Sequence, residues 1–125
     1  MTTAAGSSKV VVCAVSDVPE SGMLAVELDG RDYVVVRDHD GAFHALRDIC
    51  PHEGAPLSAG SLHRVVVGDR PGDYRLSEQC VLRCPWHGWE YDVATGQSLV
   101  EPDSVRVNRL PLQVQGDDIV VVRTG

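Results

Sequence analysis

Two short stretches of this 125-residue chain set a thiol and an imidazole side by side: Cys50-Pro51-His52 and Cys84-Pro85-Trp86-His87. In Cys-x-His and Cys-x-x-His the donors are close enough to grip one small inorganic unit from one side, while neighbouring prolines and glycines let the backbone curl around it. Two such loops supply two sulfur and two nitrogen ligands. That set suits either a tetrahedral zinc ion or a 2Fe-2S cluster with cysteines on one iron and histidines on the other. The residue types alone leave both open.

The remaining thiols and imidazoles read differently. His39 and His44, beside Asp38 and Asp40, superficially suggest a two-histidine, one-carboxylate iron site, but they flank an Asp40-Gly41 turn and read as ordinary turn and surface histidines. His63 has no paired ligand nearby and reads as a surface residue. Cys80, four residues before Cys84, and Cys13, in a valine-rich run, read as small buried apolar residues. Glu53 and Glu90, next to the candidate ligands, either meet a basic partner or keep the rim solvated.

What must position the two loops is a β framework. Hydrophobic residues make up 43% of the chain, and 21 valines stand against 2 isoleucines and 6 aromatics, an excess that favours pleated strands over helices. Short apolar runs predict strands at residues 10–15, 23–28, 33–37, 43–47, 81–83, 89–92, 105–107, 110–114 and 119–122, with Asp29-Gly30, Asp40-Gly41, Thr95-Gly96 and Gly116-Asp117 as turns between them. The expected fold is an all-β antiparallel sandwich, residues 10–125, preceded by a flexible tail at residues 1–9. Two segments interrupt the pattern: the Pro- and Gly-containing residues 49–61, and residues 63–79 with their Gly68-Asp69-Arg70-Pro71-Gly72-Asp73 stretch.

Composition also bounds the partners. A net charge of -7 with one lysine and ten arginines lacks the basic footprint that nucleic acid or an anionic membrane requires, and favours a basic protein surface. No run reaches the ~18 apolar residues of a membrane span, and residues 1–8 lack the apolar core of a secretion signal, so the expected location is the cytoplasm. Stable disulfides are uncommon there, which leaves metal ligation or burial for the four cysteines.

Cys50-Pro51-His52-Glu53-Gly54-Ala55-Pro56-Leu57, together with Cys84-Pro85-Trp86-His87-Gly88-Trp89-Glu90-Tyr91-Asp92 and the following Val93-Ala94-Thr95-Gly96, resembles the paired boxes of the Rieske family. The resemblance implies a 2Fe-2S cluster, one per chain, with Cys50 and Cys84 on one iron and His52 and His87 on the other near the surface. It also implies a cluster-binding subdomain formed by loops 50–60 and 84–97. Trp86, Trp89 and Tyr91 surround the second box, and packing is their expected main role. High-potential respiratory members carry an extra cysteine in each loop and a serine donor, where this chain has Ala55, Trp86 and Trp89. Tyr91 stands where a hydroxyl donates to a ligand sulfur. A midpoint in the lower part of the Rieske span of about -150 to +300 mV follows.

Cys84 comes 34 positions after Cys50, a wider gap than compact ferredoxins of the family leave, and the excess falls in residues 63–79. That insertion is read as a hairpin or lid shaping the docking surface, or as a neutral insertion. The resemblance points to a soluble ferredoxin, not itself an enzyme. It would pass electrons from a flavin-dependent reductase to a terminal oxygenase of the ring-hydroxylating type, and no small-molecule substrate pocket is expected. The small iron-sulfur subunit of a larger enzyme, such as an assimilatory nitrite reductase, is the alternative, and a zinc-binding interaction module a more distant one.

Overall fold

The computed structural model describes residues 8–51, 54–68, 70–86 and 88–123, and there the chain forms ten strands in three antiparallel sheets. One sheet has the order β1 (Ser8–Ala14), β10 (Asp118–Arg123), β9 (Leu112–Gln115). A second runs β2 (Met23–Leu28), β3 (Arg31–Arg37), β4 (Phe43–Arg47), β8 (Arg109–Leu110). The third runs β5 (Ser61–Val67), β6 (Arg75–Arg83), β7 (Glu90–Asp92).

The middle sheet separates two cores, and the unbroken Val34-Val35-Val36 run of β3 shows why. Side chains alternate across a strand. Val34 and Val36 join Leu46, Leu57, Leu82 and Tyr91 on the face toward the cysteine loops, whereas Val35 joins Val18 and Ile119 on the other face. All three valines are fully buried, each contributing about 1.5–3 kcal/mol. The turn that starts β3 is the two-residue Asp29-Gly30, with φ of 54° and 77°, the positive pair that matches the twist of a tight hairpin.

The segment 63–79, read as a hairpin or lid or as a neutral insertion, is a long β-hairpin: β5 and β6 pair from Ser61↔Arg83 to Val67↔Arg75. Its register slips between Arg64↔Cys80 and Val66↔Leu76, a bulge that leaves the polar Ser77-Glu78-Gln79 out of step and hides the strand's alternation. The run at 105–107 makes only an isolated bridge, Arg106 to Gln97. Pro111 divides the expected 110–114 strand, because it has no N–H for a ladder; β8 pairs with β4 and β9 with β10. Ser8 and Lys9, placed in the tail by sequence, pair with Arg123 and Val122 in the first sheet. Residues 1–7 lie outside the described residues.

Candidate metal centre

Both cysteine loops hang from the core on the Val34 and Val36 side of β3, the inner core, the core around Val35 being the outer one. The first connects β4 to β5, and the Asp48 carboxylate anchors it by accepting Ser58 N–H and Ser58 O–H, each at 2.6 Å. The second connects β6 to β7, held at its base by the Arg83↔Glu90 pairing and a 3.0 Å salt bridge between those side chains.

The loops are built alike. Cys50 N–H donates to Ala55 C=O at 2.8 Å, and Cys84 N–H donates to Trp89 C=O at 2.7 Å, the same five-residue closure in each. Gly54 and Gly88 occupy the fifth position, with φ of 74° and 75°, a conformation that a side chain at Cβ disfavours. Each closure folds its cysteine inward: Cys50 is 1% and Cys84 2% exposed, and both belong to one core cluster with Leu57, Tyr91 and Val107. The fully buried Tyr91 sets its hydroxyl 3.2 Å from Cys50 Sγ. Once that sulfur is a thiolate, the phenol is the only donor of the pair. His52, Glu53 and His87 lie outside the described residues.

Of the three aromatics around the second loop, Tyr91 is core and Trp89 packs against the core. Trp86, expected to pack, instead stands 62% exposed on the tip of the loop, a correction that follows from the closure: it turns Cys84 and Trp89 in and carries Pro85, Trp86 and Gly88 outward.

A family model for the Rieske [2Fe-2S] domain matches residues 8–111. The chain belongs to the Rieske [2Fe-2S] domain family. It is 31% identical over 112 residues to the ferredoxin component of the alkene monooxygenase system of Xanthobacter autotrophicus, covering 90% of this chain and 79% of that protein. The ferredoxin of carbazole 1,9a-dioxygenase from Nocardioides aromaticivorans is 27% identical with a TM-score of 0.70, covering 90% and 95% of the two chains. A Mycobacterium tuberculosis structure assigned as an NADH-dependent nitrite reductase small subunit is 25% identical with a TM-score of 0.73, covering 95% and 97%.

The group this Rieske domain binds is a 2Fe-2S cluster, and the described residues fit it. Two buried thiols on matched loops, a phenol directed at one of them and walls of Leu57 and Val107 give soft, water-excluded ligation. Tyr91→Phe is expected to lower the reduction midpoint by about 40 mV, since a donor to a ligand sulfur favours the more negative state by ~1 kcal/mol and a tenfold change is about 59 mV for one electron. A redox titration of both proteins checks this, and equal midpoints would refute the role of the hydroxyl.

The other sequence candidates lie elsewhere. Cys80 is buried in the inner core and its thiol is pushed up by burial, then by the Asp38 charge, so it stays protonated. Cys13 is half-buried against the outer core, pushed up by burial and by Asp17. His63 is half-buried and bonds Ser61 Oγ at 2.7 Å. His39 meets Glu78 at 3.2 Å and Asp40 at 3.4 Å, an exposed link from the β3–β4 turn to the β6 bulge.

His44, expected at the surface, is half-buried, with Nε2 2.9 Å from Asp38 Oδ2. Burial acts to raise the Asp38 carboxyl, but hydrogen bonds from His44 and from the Ala42 and Asp40 amides outweigh it and hold it below its ordinary 3.8. A carboxyl lowered by folding contributes stability above its unfolded value and loses it as pH falls through the folded one. Asp38→Asn is therefore expected to destabilise the protein at pH 7, with the two stability curves converging in acid below that range. Urea melts across pH check it, and a constant gap down to strong acid would refute it.

Sequence reasoning did not find the arginines that gather beside the first loop. Arg47 ends β4 and Arg106 and Arg109 sit in or next to the short β8 segment, brought together by Leu46↔Arg109 pairing and by Arg47 N–H donating to Asn108 C=O at 2.8 Å. No local pattern encodes a contact between segments sixty residues apart.

Proposed function

We propose that this chain is a Rieske ferredoxin: a one-electron carrier between a flavin-dependent reductase and a terminal oxygenase of the ring-hydroxylating type, with Cys50, Cys84, His52 and His87 as the cluster's ligands. The observation that carries the reading is the pair of identically closed loops that bury Cys50 and Cys84 in one core, with Tyr91 at the sulfur of the first. The cluster, when bound, supplies a one-electron couple. The chain's own residues supply the rest. Tyr91 donates to the Cys50 sulfur, Leu57 and Val107 exclude water, and three sheets keep both loops in place so that little moves when charge arrives.

Substrate chemistry is assigned to the oxygenase partner, and the cytoplasm is the proposed location. Among the described residues no helix is long and apolar enough to cross a membrane. Visible absorption with a rhombic paramagnetic signal on reduction tests the proposal; a colourless protein holding one zinc per chain would overturn it. The likeness to a nitrite reductase small subunit supports a second reading, a subunit fixed in a larger enzyme. Gel filtration from native cells separates the two, a large stable complex favouring the subunit and a free small species the shuttle.

A further inference from the structure

A cleft of about 220 Å³ opens directly beside the first cysteine loop, bounded by Arg47, Ile49, Pro51 and Arg106. Through Arg106 and Asn108 it continues into a second of about 320 Å³ that reaches Arg109. Among the described residues no carboxylate lines either cleft and none of the three guanidiniums has an acidic partner, in a chain where acids outnumber bases 18 to 11.

Arg47 is the most telling. Its guanidinium lies 5.7 Å from the centre of the Tyr33 ring, and its Nε is buried without a hydrogen-bond partner among the described residues. A guanidinium cannot shed its charge, and this one lines the cleft with no acidic partner among the described residues, so its charge there stays uncompensated. A planar fork of N–H donors matches a carboxylate. The rim adds apolar contact: Ile49 is 45% exposed and Pro51 is exposed. Arginine beside exposed apolar side chains is the make-up of a protein interface.

We propose that this cleft receives carboxylates from an acidic surface of the redox partner, seating that partner against the first cysteine loop. The inference rests on the electron-carrier reading and names the partner's chemistry. It reverses what net charge suggests: the molecule as a whole is acidic and favours a basic partner, whereas the described lining beside Pro51 carries two arginines and suits an acidic one. A long-range approach governed by the -7 and a final orientation governed by three arginines are separable by salt.

The test uses the purified protein with its cluster and a fluorescent ten-residue glutamate peptide, followed by anisotropy at low salt. The peptide is expected to bind, to weaken as sodium chloride is added, and to bind the double variant Arg106→Glu/Arg109→Glu on the order of 10-fold less tightly. Arg106→Gln/Arg109→Gln, which removes charge without reversing it, should fall between. As a second readout, ferricyanide takes one electron from the reduced protein and becomes ferrocyanide. That rate should rise with added salt more steeply in the charge-reversed protein than in the unaltered one, because the arginines offset part of the -7 that repels the anion; an equal salt slope would count against the cleft.

No peptide binding, equal binding by the variants, or displacement of the peptide by equimolar inorganic phosphate would overturn the docking site. In those cases a coloured protein keeps the carrier reading intact. A protein without the cluster overturns the carrier reading and this inference with it.

Discussion

Cys84→Ser is expected to abolish the visible absorption of the purified protein, and Cys80→Ser to leave it unchanged. The two thiols are four residues apart, both buried, and both in the inner core, so neither spacing nor burial tells them apart. Backbone placement does. Cys84 N–H closes the second loop onto Trp89, the counterpart of the Cys50 closure onto Ala55, whereas Cys80 lies in the β6 ladder opposite Arg64. The Cys80 thiol is also pushed up by burial and by Asp38, which opposes the thiolate that a metal needs. Serine at 84 offers a harder, much less acidic ligand, and a site that has lost one of its two sulfurs should not retain iron. Serine at 80 should cost about 1–2 kcal/mol for a hydroxyl in an apolar setting, without loss of colour. Absorption spectra and iron content of the two variants decide it; colour surviving Cys84→Ser would remove that residue from the ligand set.

The contrast shows what could be read from the chain and what could not. The matched build of the two boxes was legible because proline and glycine recur at the same offsets from Cys50 and Cys84. Strands β2 and β4 were legible to the residue, since they are short, apolar and bounded by turn residues. The full length of β6 was not: a bulge shifts its register and three consecutive polar residues interrupt its alternation, so local periodicity showed only 81–83 of its nine residues. Trp86 misled for a related reason: hydrophobic type argues for burial, but a five-residue closure decides which way each loop residue points. The arginine cleft was invisible because it is assembled by long-range pairing alone.

Gly60→Ala should destabilise the protein by about 3 kcal/mol or more, the range expected when a core is overpacked against something that cannot yield. The reason is steric and lies in the backbone. A Cβ on Gly60 would run into the carbonyl group of Arg83, well inside contact distance. A flexible side chain could move aside, but Arg83 is paired to Ser61 on one side and to Glu90 on the other, and the next residue is Cys84. Gly60 is fixed as well, its N–H donating to Leu57 C=O at 2.9 Å at the end of the one-turn helix Leu57–Ala59. This close approach is what brings the end of the first cysteine loop against the start of the second. Relief of the clash therefore has to separate the loops. Gly41→Ala is the matched control: φ there is 87°, but nothing lies within 4 Å of the added methyl, so only the conformational cost of about 1 kcal/mol applies. Urea melts should place Gly60→Ala well below Gly41→Ala, and its iron content should drop, because the two thiols no longer converge. Equal stability of the two variants would show that the strand ends give way without disturbing the site.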